Sequence, residues 1–307
     1  MSGPNTVVLM GSQRLVPRVR EVASALGLSG PFAVITAGWQ EREDEDEELR
    51  AHLGEPVVNL GIKARAEAAL GRDPDLSAAH RARQEFLRHL QDVYRIRLRH
   101  AFAAELDVRT YAAPAELRAE IDELSIARIR ALDDAHLAQC RQLRREFEDA
   151  WRPLERDSVR VELDELREAI APCKTVCIAG GHVAVLKNRM DLLGGSELLG
   201  DRPVIAWAAG AMVATERVVL FHDDAPQGEL FREVLDDGLG LAKDVVVFPE
   251  PERRLALDNQ PRALHLVQRF APARCVVLPA SSYVVLRNGQ QAKAEGARTL
   301  TTEEFQS

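Results

Sequence analysis

What this chain lacks removes several functions before any motif is read. It has four cysteines in 307 residues, Cys140, Cys173, Cys177 and Cys275, and no second Cys/His pair to turn Cys173 and Cys177 into a zinc site. They read as buried thiols of a reduced protein. Positive charge is short. With 40 Lys and Arg against 48 Asp and Glu, the net charge of −8 offers no general attraction to nucleic acid or to an anionic membrane. No apolar run approaches the roughly 20 residues of a membrane span. The opening MSGPNTVVLMGSQ has no basic stretch followed by a long apolar core, so a cytoplasmic location is expected. No Gly-x-Gly-x-x-Gly follows the first apolar segment, and Gly194-Gly195 lacks the Lys and Ser/Thr of a phosphate loop. Neither a nucleotide nor any other cofactor is expected.

What is present is ordinary for a folded chain, with 46% hydrophobic and 29% charged residues. The first 62 residues alternate strand and helix. Thr6–Met10, Phe32–Ile35 and Pro56–Leu60 are continuous apolar strands, and Pro17–Leu26 has helical spacing with Gly27 as its stop. Unbroken apolar strands separated by helices imply a parallel sheet covered on both faces. The acidic run Glu41–Glu48 reads as the solvated first turns of a helix, where carboxylates suit the positive end of the dipole.

The alternation then stops for residues 63–152. Leu76 to about Leu106 and Pro114 to Trp151 carry helical apolar stripes (Phe86, Leu87, Leu90, Tyr94, Phe102; then Leu117, Ile121, Leu124, Ile129, Leu132, Leu143, Phe147), with Ala113-Pro114 as the corner. This spacing predicts an antiparallel helical hairpin with arms about 45 Å long at 1.5 Å per residue. Arg95, Arg97 and Arg99 fan around such a helix, and the facing arm carries Glu116, Glu120, Asp122 and Glu123. Salt bridges between the arms are therefore expected, not a nucleic-acid partner. Strands resume at Thr175–Ile178, Val218–Phe221, Val245–Phe248, Cys275–Leu278 and Tyr283–Leu286, and Asn288-Gly289 has the residues of a type I′ turn. The expected division is an α/β domain from 1–62 and 153–307, interrupted by the hairpin.

The informative stretch is Ile205-Ala-Trp-Ala-Ala-Gly-Ala211. An apolar strand meets a run of small side chains and then a helix, the pattern of a nucleophile elbow, where one residue is held in a strained backbone conformation at a sharp turn. The apex would be Ala208, which has no hydroxyl. Three other segments accompany it in order: ITAGWQ with the acidic helix and VVNLGI, IAGGHVAVL (178–186), and LDDGLGLAKDVVVFPE (235–250). Together, over residues 5–62 and 158–290, they resemble the peptidase E and cyanophycinase branch of the class I glutamine amidotransferase-like superfamily. The resemblance implies a flavodoxin-like, doubly wound, mainly parallel sheet with the hairpin inserted. It also implies a Ser-His-acid site, with Gly180-Gly181 and the Ala209 amide forming an oxyanion hole.

The departures from that pattern decide the expected function. Ala208 stands where the family has its nucleophile, Glu250 or a neighbour where it has His, and Pro279-Ala-Ser-Ser282 where part of the family has an acid. The leading expectation is a catalytically silent protein, a pseudoenzyme, whose pocket at Gly180, Gly181, His182, Trp207, Ala208, Ala209 and Glu250 binds a small amide or carboxylate, or a protein partner. Two alternatives accompany it: a hydrolase using His182 or Glu250 on water, and a structural protein that pairs through the hairpin as a homodimer or other homo-oligomer. His222, Asp223 and Asp224 read as a polar loop and not a metal cluster. His182 reads as a helix-start residue or a ligand contact, Lys187 as a surface residue or an anion contact. Trp39 and Trp207 read as core or pocket wall.

Overall fold

In the computed structural model, residues 5–112, 114–221, 232–255, 257 and 260–305 are described. His222, Asp223 and Asp224 lie outside them. The chain opens with β1 (Thr6–Met10), α1 (Val19–Ala25), β2 (Phe32–Ile35), α2 (Glu47–Leu53), β3 (Val57–Asn59) and α3 (Ile62–Arg72). The long helices α4 (Pro74–Thr110) and α5 (Ala115–Trp151) follow, then α6 (Asp157–Ile170), β4 (Thr175–Ile178), α7 (Val183–Leu192), β5 (Val204–Trp207) and α8 (Ala209–Ala214). The remainder is β6 (Arg217–Leu220), β7 (Glu233–Asp237), β8 (Val245–Pro249), α9 (Pro251–Arg254), α10 (Gln260–Phe270), β9 (Arg274–Leu278), β10 (Tyr283–Arg287), β11 (Gln290–Glu295) and β12 (Arg298–Leu300).

The main sheet runs β11-β10-β1-β5-β4-β2-β3, with β1, β5, β4, β2 and β3 parallel and β10 antiparallel to β1. The stretch β3-β2-β4-β5 has the flavodoxin-like 2-1-3-4 order, and β1 fills the fifth place. Strand parity explains the unbroken apolar sequences. Val7, Leu9, Ala33, Ile35, Val176, Ile178, Val204 and Ala206 join the core on one face. Their neighbours Val8, Met10, Phe32, Val34, Cys177 and Ile205 join the core on the other, under α1 and α2. Both faces are covered, as the sequence predicts. The β10–β11 hairpin turns through Asn288 at φ 49° and Gly289 at φ 79°, both positive as a type I′ turn requires. A smaller sheet, β12-β9-β8, and the β6–β7 ladder complete the body. β7, β11 and β12 were not visible in the sequence, because their polar residues break the apolar pattern.

Each arm of the hairpin is 37 residues, about 55 Å at 1.5 Å per residue. Asp73 caps α4, accepting from Leu76 N at 3.0 Å, with Pro74 in the first turn. The hairpin lies along the body. Arg95 pairs with Glu233 at 2.8 Å, Arg144 with Asp236 at 2.6 Å and Arg141 with Asp237 at 2.7 Å, so these arginines bridge arm to β7 and not arm to arm. At the centre of this junction Arg269 on α10 makes a two-pronged ion pair with Asp133 on α5, at 2.8 and 2.7 Å. Tyr94 on α4 donates its hydroxyl to Asp133 at 2.7 Å and accepts from Arg269 at 3.0 Å. The Asp133 side chain is 0% exposed and that of Arg269 1%.

Two expectations need correction. The acidic run is not all solvated. Glu43 and Asp46 are buried; the Glu43 carboxylate accepts from the Lys63 and Ala64 amides at the start of α3, and Asp46 accepts from Asn59 and Arg50. The Glu43 carboxylate answers unpaired backbone donors at the start of α3, which the sequence does not reveal. Lys187 is also inside, its ammonium 2.5 Å from Asp191 one turn along α7.

Candidate functional site

The site is built where β5 gives way to α8. Ala208 sits at φ 50° and ψ −121°, a conformation that costs an alanine on the order of 1–3 kcal/mol. Its amide donates to Met10 O at 3.1 Å, seating the turn against the end of β1. Three glycines make room. A Cβ on Gly210 would lie 2.3 Å from Ile178 O, so only glycine lets α8 approach β4 this closely. A Cβ on Gly180 would lie 2.9 Å from Ala208 Cβ and 3.5 Å from Ala209 N. Gly181, at φ 110°, lies against the Gly38 carbonyl, which accepts from His182 N at 2.7 Å. The strand ends of β2, β4 and β5 thus meet at Gly38, Gly180 and Ala208, beside the point between β2 and β4 where the chain's winding direction reverses.

The neighbouring strand ends come from β1, β9 and β8. A Cβ on Gly11 would overlap Pro279 O, and Gly11 N donates to Ser282 O at 2.9 Å. Glu250 N donates to Leu278 O at 3.0 Å, and Glu250 itself is left-handed at φ 54°. The Ser282 and Ser281 hydroxyls donate to the backbone carbonyls of Pro279 and Val16, both at 2.8 Å.

The sequence-predicted residues divide into two groups. Gly180, Gly181, Ala208 and Ala209 come together as one backbone-lined corner. His182 is exposed, and its Nδ1 accepts from Val185 N at 3.3 Å, so it caps α7. Trp207 is buried with Val8, Met10 and Tyr283, and Trp39 packs on the same layer. Trp207 is therefore core, while Trp39 is half-buried at its edge. Glu250 stands half-buried at the start of α9.

No thiol is poised as a nucleophile. All four cysteines are buried and free, and burial pushes Cys140, Cys177 and Cys275 up to about 12, which keeps them protonated at neutral pH. Among the described residues, no group of three or more His, Cys, Asp or Glu is arranged to hold a metal ion.

A second turn of the same kind, beyond the end of β2, escaped the sequence. Gln40 sits at φ 61° and ψ −119°, nearly the backbone of Ala208, and it follows Trp39 as Ala208 follows Trp207. The repeated Trp before the apex was the available signal. Gln40 borders a cleft of 410 Å³ with Glu43, Asp46, Asn59 and Lys63. Burial raises the Glu43 carboxyl above its ordinary range, against the pull of the two amides it accepts from.

No family model matches the chain, and no curated protein does. Among solved structures it is similar to a peptidase from an acI-B1 Actinobacterium, at 14% identity and a TM-score of 0.42, covering 97% of this chain and 91% of that one. At that TM-score the likeness carries no residue's role. The α/β fold stands on its own strand order.

Proposed function

We propose that this chain is a catalytically silent relative of peptidase E that binds a small amide or carboxylate in the corner between the glycine turn and the elbow. The observation that supports this most is Ala208, which occupies a costly backbone conformation without a side chain that could use it. The first amides of α8 have no carbonyl one turn earlier to bond, so they suit an anionic or carbonyl oxygen at the corner. Backbone donors need no serine.

The experiment pairs two assays on the purified chain. Hydrolysis of Asp-X dipeptides and of a β-aspartyl-arginine polymer should stay at the buffer rate. Calorimetry with small amides and carboxylates should find a ligand whose binding Gly180→Val abolishes. Turnover lost on His182→Ala or Glu250→Gln would overturn the proposal in favour of a hydrolase with a relocated group.

A second reading, self-association through the hairpin, is favoured by one observation. Phe86, Val93 and Ile96 on α4 are 57, 53 and 51% exposed, at helical spacings of seven and three residues. Mass in solution, compared with the chain carrying Phe86→Ser, Val93→Ser and Ile96→Ser, tests it; a monomer in both cases removes it.

A further inference from the structure

Buried donors without acceptors collect in one seam of this protein. In the parts of α4, α5 and α7 that carry Arg83, Arg144 and Arg189, the Nε atom of each arginine is sealed from solvent and makes no hydrogen bond. Arg83 is the extreme case. Its guanidinium lies over the Phe147 ring at 4.9 Å, and among the described residues it forms no hydrogen bond or ion pair. The end nitrogens of Arg144 pair with Asp236 at 2.6 Å and Asp237 at 3.4 Å, and those of Arg189 with Asn188 at 2.7 Å and Glu67 at 3.6 Å. Lys187 takes Asp191. His80 is buried 3.3 Å from Asn188, and burial with the charges of Arg189 and Arg83 pushes it down to about 4, so it is neutral.

Carboxylates do act on Arg83 from a distance, namely Asp191, Asp236 and Glu148, but Asp191 is held by Lys187 and Asp236 by Arg144. The seam is left with sealed N–H donors and, at Arg83, a cation that has the Phe147 ring but no anion in direct contact among the described residues. Sealed donors without acceptors are costly and point to a group outside the chain. A small oxyanion answers both the donors and the charge, and a guanidinium fork fits two oxygens of a phosphate or carboxylate. The way in is open, because Arg83 is only half-buried and the side chains of Arg144 and Arg189 are each 21% exposed.

We propose that the α4–α5–α7 seam is an anion site in which Arg83, flanked by Arg144 and Arg189, takes a phosphate or carboxylate group from solvent and so ties the hairpin to the body. The site is separate from the elbow and does not depend on the function proposed there.

The test is calorimetry and thermal melting of the full chain in sodium phosphate and, separately, sodium citrate, at fixed ionic strength against sodium chloride. A saturable response to one of these anions is expected, and the anion that gives it identifies the source. Arg83→Met should weaken that binding ~10- to 100-fold, the loss of charge-assisted hydrogen bonds, while the exposed Arg97→Met leaves it unchanged. In chloride alone, Arg83→Met should melt no lower than the parent, since it removes an unpaired cation. If that variant does not fold, Arg83→Lys keeps the charge and loses the fork, and at least ~10-fold weaker binding is expected. No response beyond chloride, or equal affinity in the Arg83 variants, overturns the proposal.

Discussion

Removing the Asp133 carboxylate should loosen the whole molecule, because it leaves Arg269 charged at 1% exposure with no anion to answer it. Deleting one partner of a buried pair costs about 3–5 kcal/mol. For a chain of this size each kcal/mol moves the melting midpoint by roughly 2–4 °C, so Asp133→Ala should lower it by about 6–20 °C. Tyr94→Phe removes a donor to Asp133 and an acceptor for both Arg269 and Val234 N, and should cost a further but smaller amount, about 1–3 kcal/mol. The double change Asp133→Leu with Arg269→Met removes both charges and should be less destabilising than either single change, since no lone ion is left inside. Urea denaturation monitored by far-UV circular dichroism gives these values, with Asp133→Leu and Arg269→Met measured singly as well. A loss below about 1 kcal/mol for Asp133→Ala, or a double variant equal to the sum of its parts, would refute the view that this clasp joins hairpin to body.

Further outcomes follow from the elbow and from the seam. Ala208→Gly relieves a positive φ and should stabilise the fold by up to about 1 kcal/mol, whereas Gly210→Ala, whose Cβ would lie 2.3 Å from Ile178 O, should cost about 2 kcal/mol or more in the same urea assay. His80 is held neutral by burial and by Arg189 and Arg83, so its folded value of about 4 lies below the unfolded value of about 6.5. Its contribution is therefore complete above pH 6.5 and is lost as pH falls toward 4, by about 2–3 kcal/mol; His80→Leu should flatten that part of the stability–pH curve. Ala208→Ser alone should remain inactive in the dipeptide assay, because Glu250 and the Ser281 and Ser282 hydroxyls supply no imidazole and that of His182 is engaged in capping α7.

The fold was legible wherever one residue's neighbours decide its state. Val7 to Met10 read as a strand covered on both faces because every side chain is apolar, and both cores receive them. Asn288-Gly289 read as a turn because few other residues tolerate two positive φ values in succession. The elbow was legible from its small residues, since Gly180 and Gly210 sit where any Cβ would collide. What stayed hidden depended on how the elements pack and on which of several available contacts a side chain makes. Lys187 reads as a surface residue until α7 is packed and Asp191 closes on it. Glu43 reads as one more solvated acid until the amides of α3 arrive beneath it. His182 carries the same sequence signal whether it caps a helix or touches a ligand, and only the 3.3 Å contact from Val185 N separates the two.

Hydrolysis of Asp-X dipeptides by the purified parent chain, followed by amine release over many hours at pH 7, bears most directly on the proposal that an elbow with alanine at its apex is catalytically silent. The account requires a rate equal to buffer in the parent and in Ala208→Gly alike. Measurable turnover that disappears on altering His182, Glu250 or Gly180 would show that another group has taken over the chemistry.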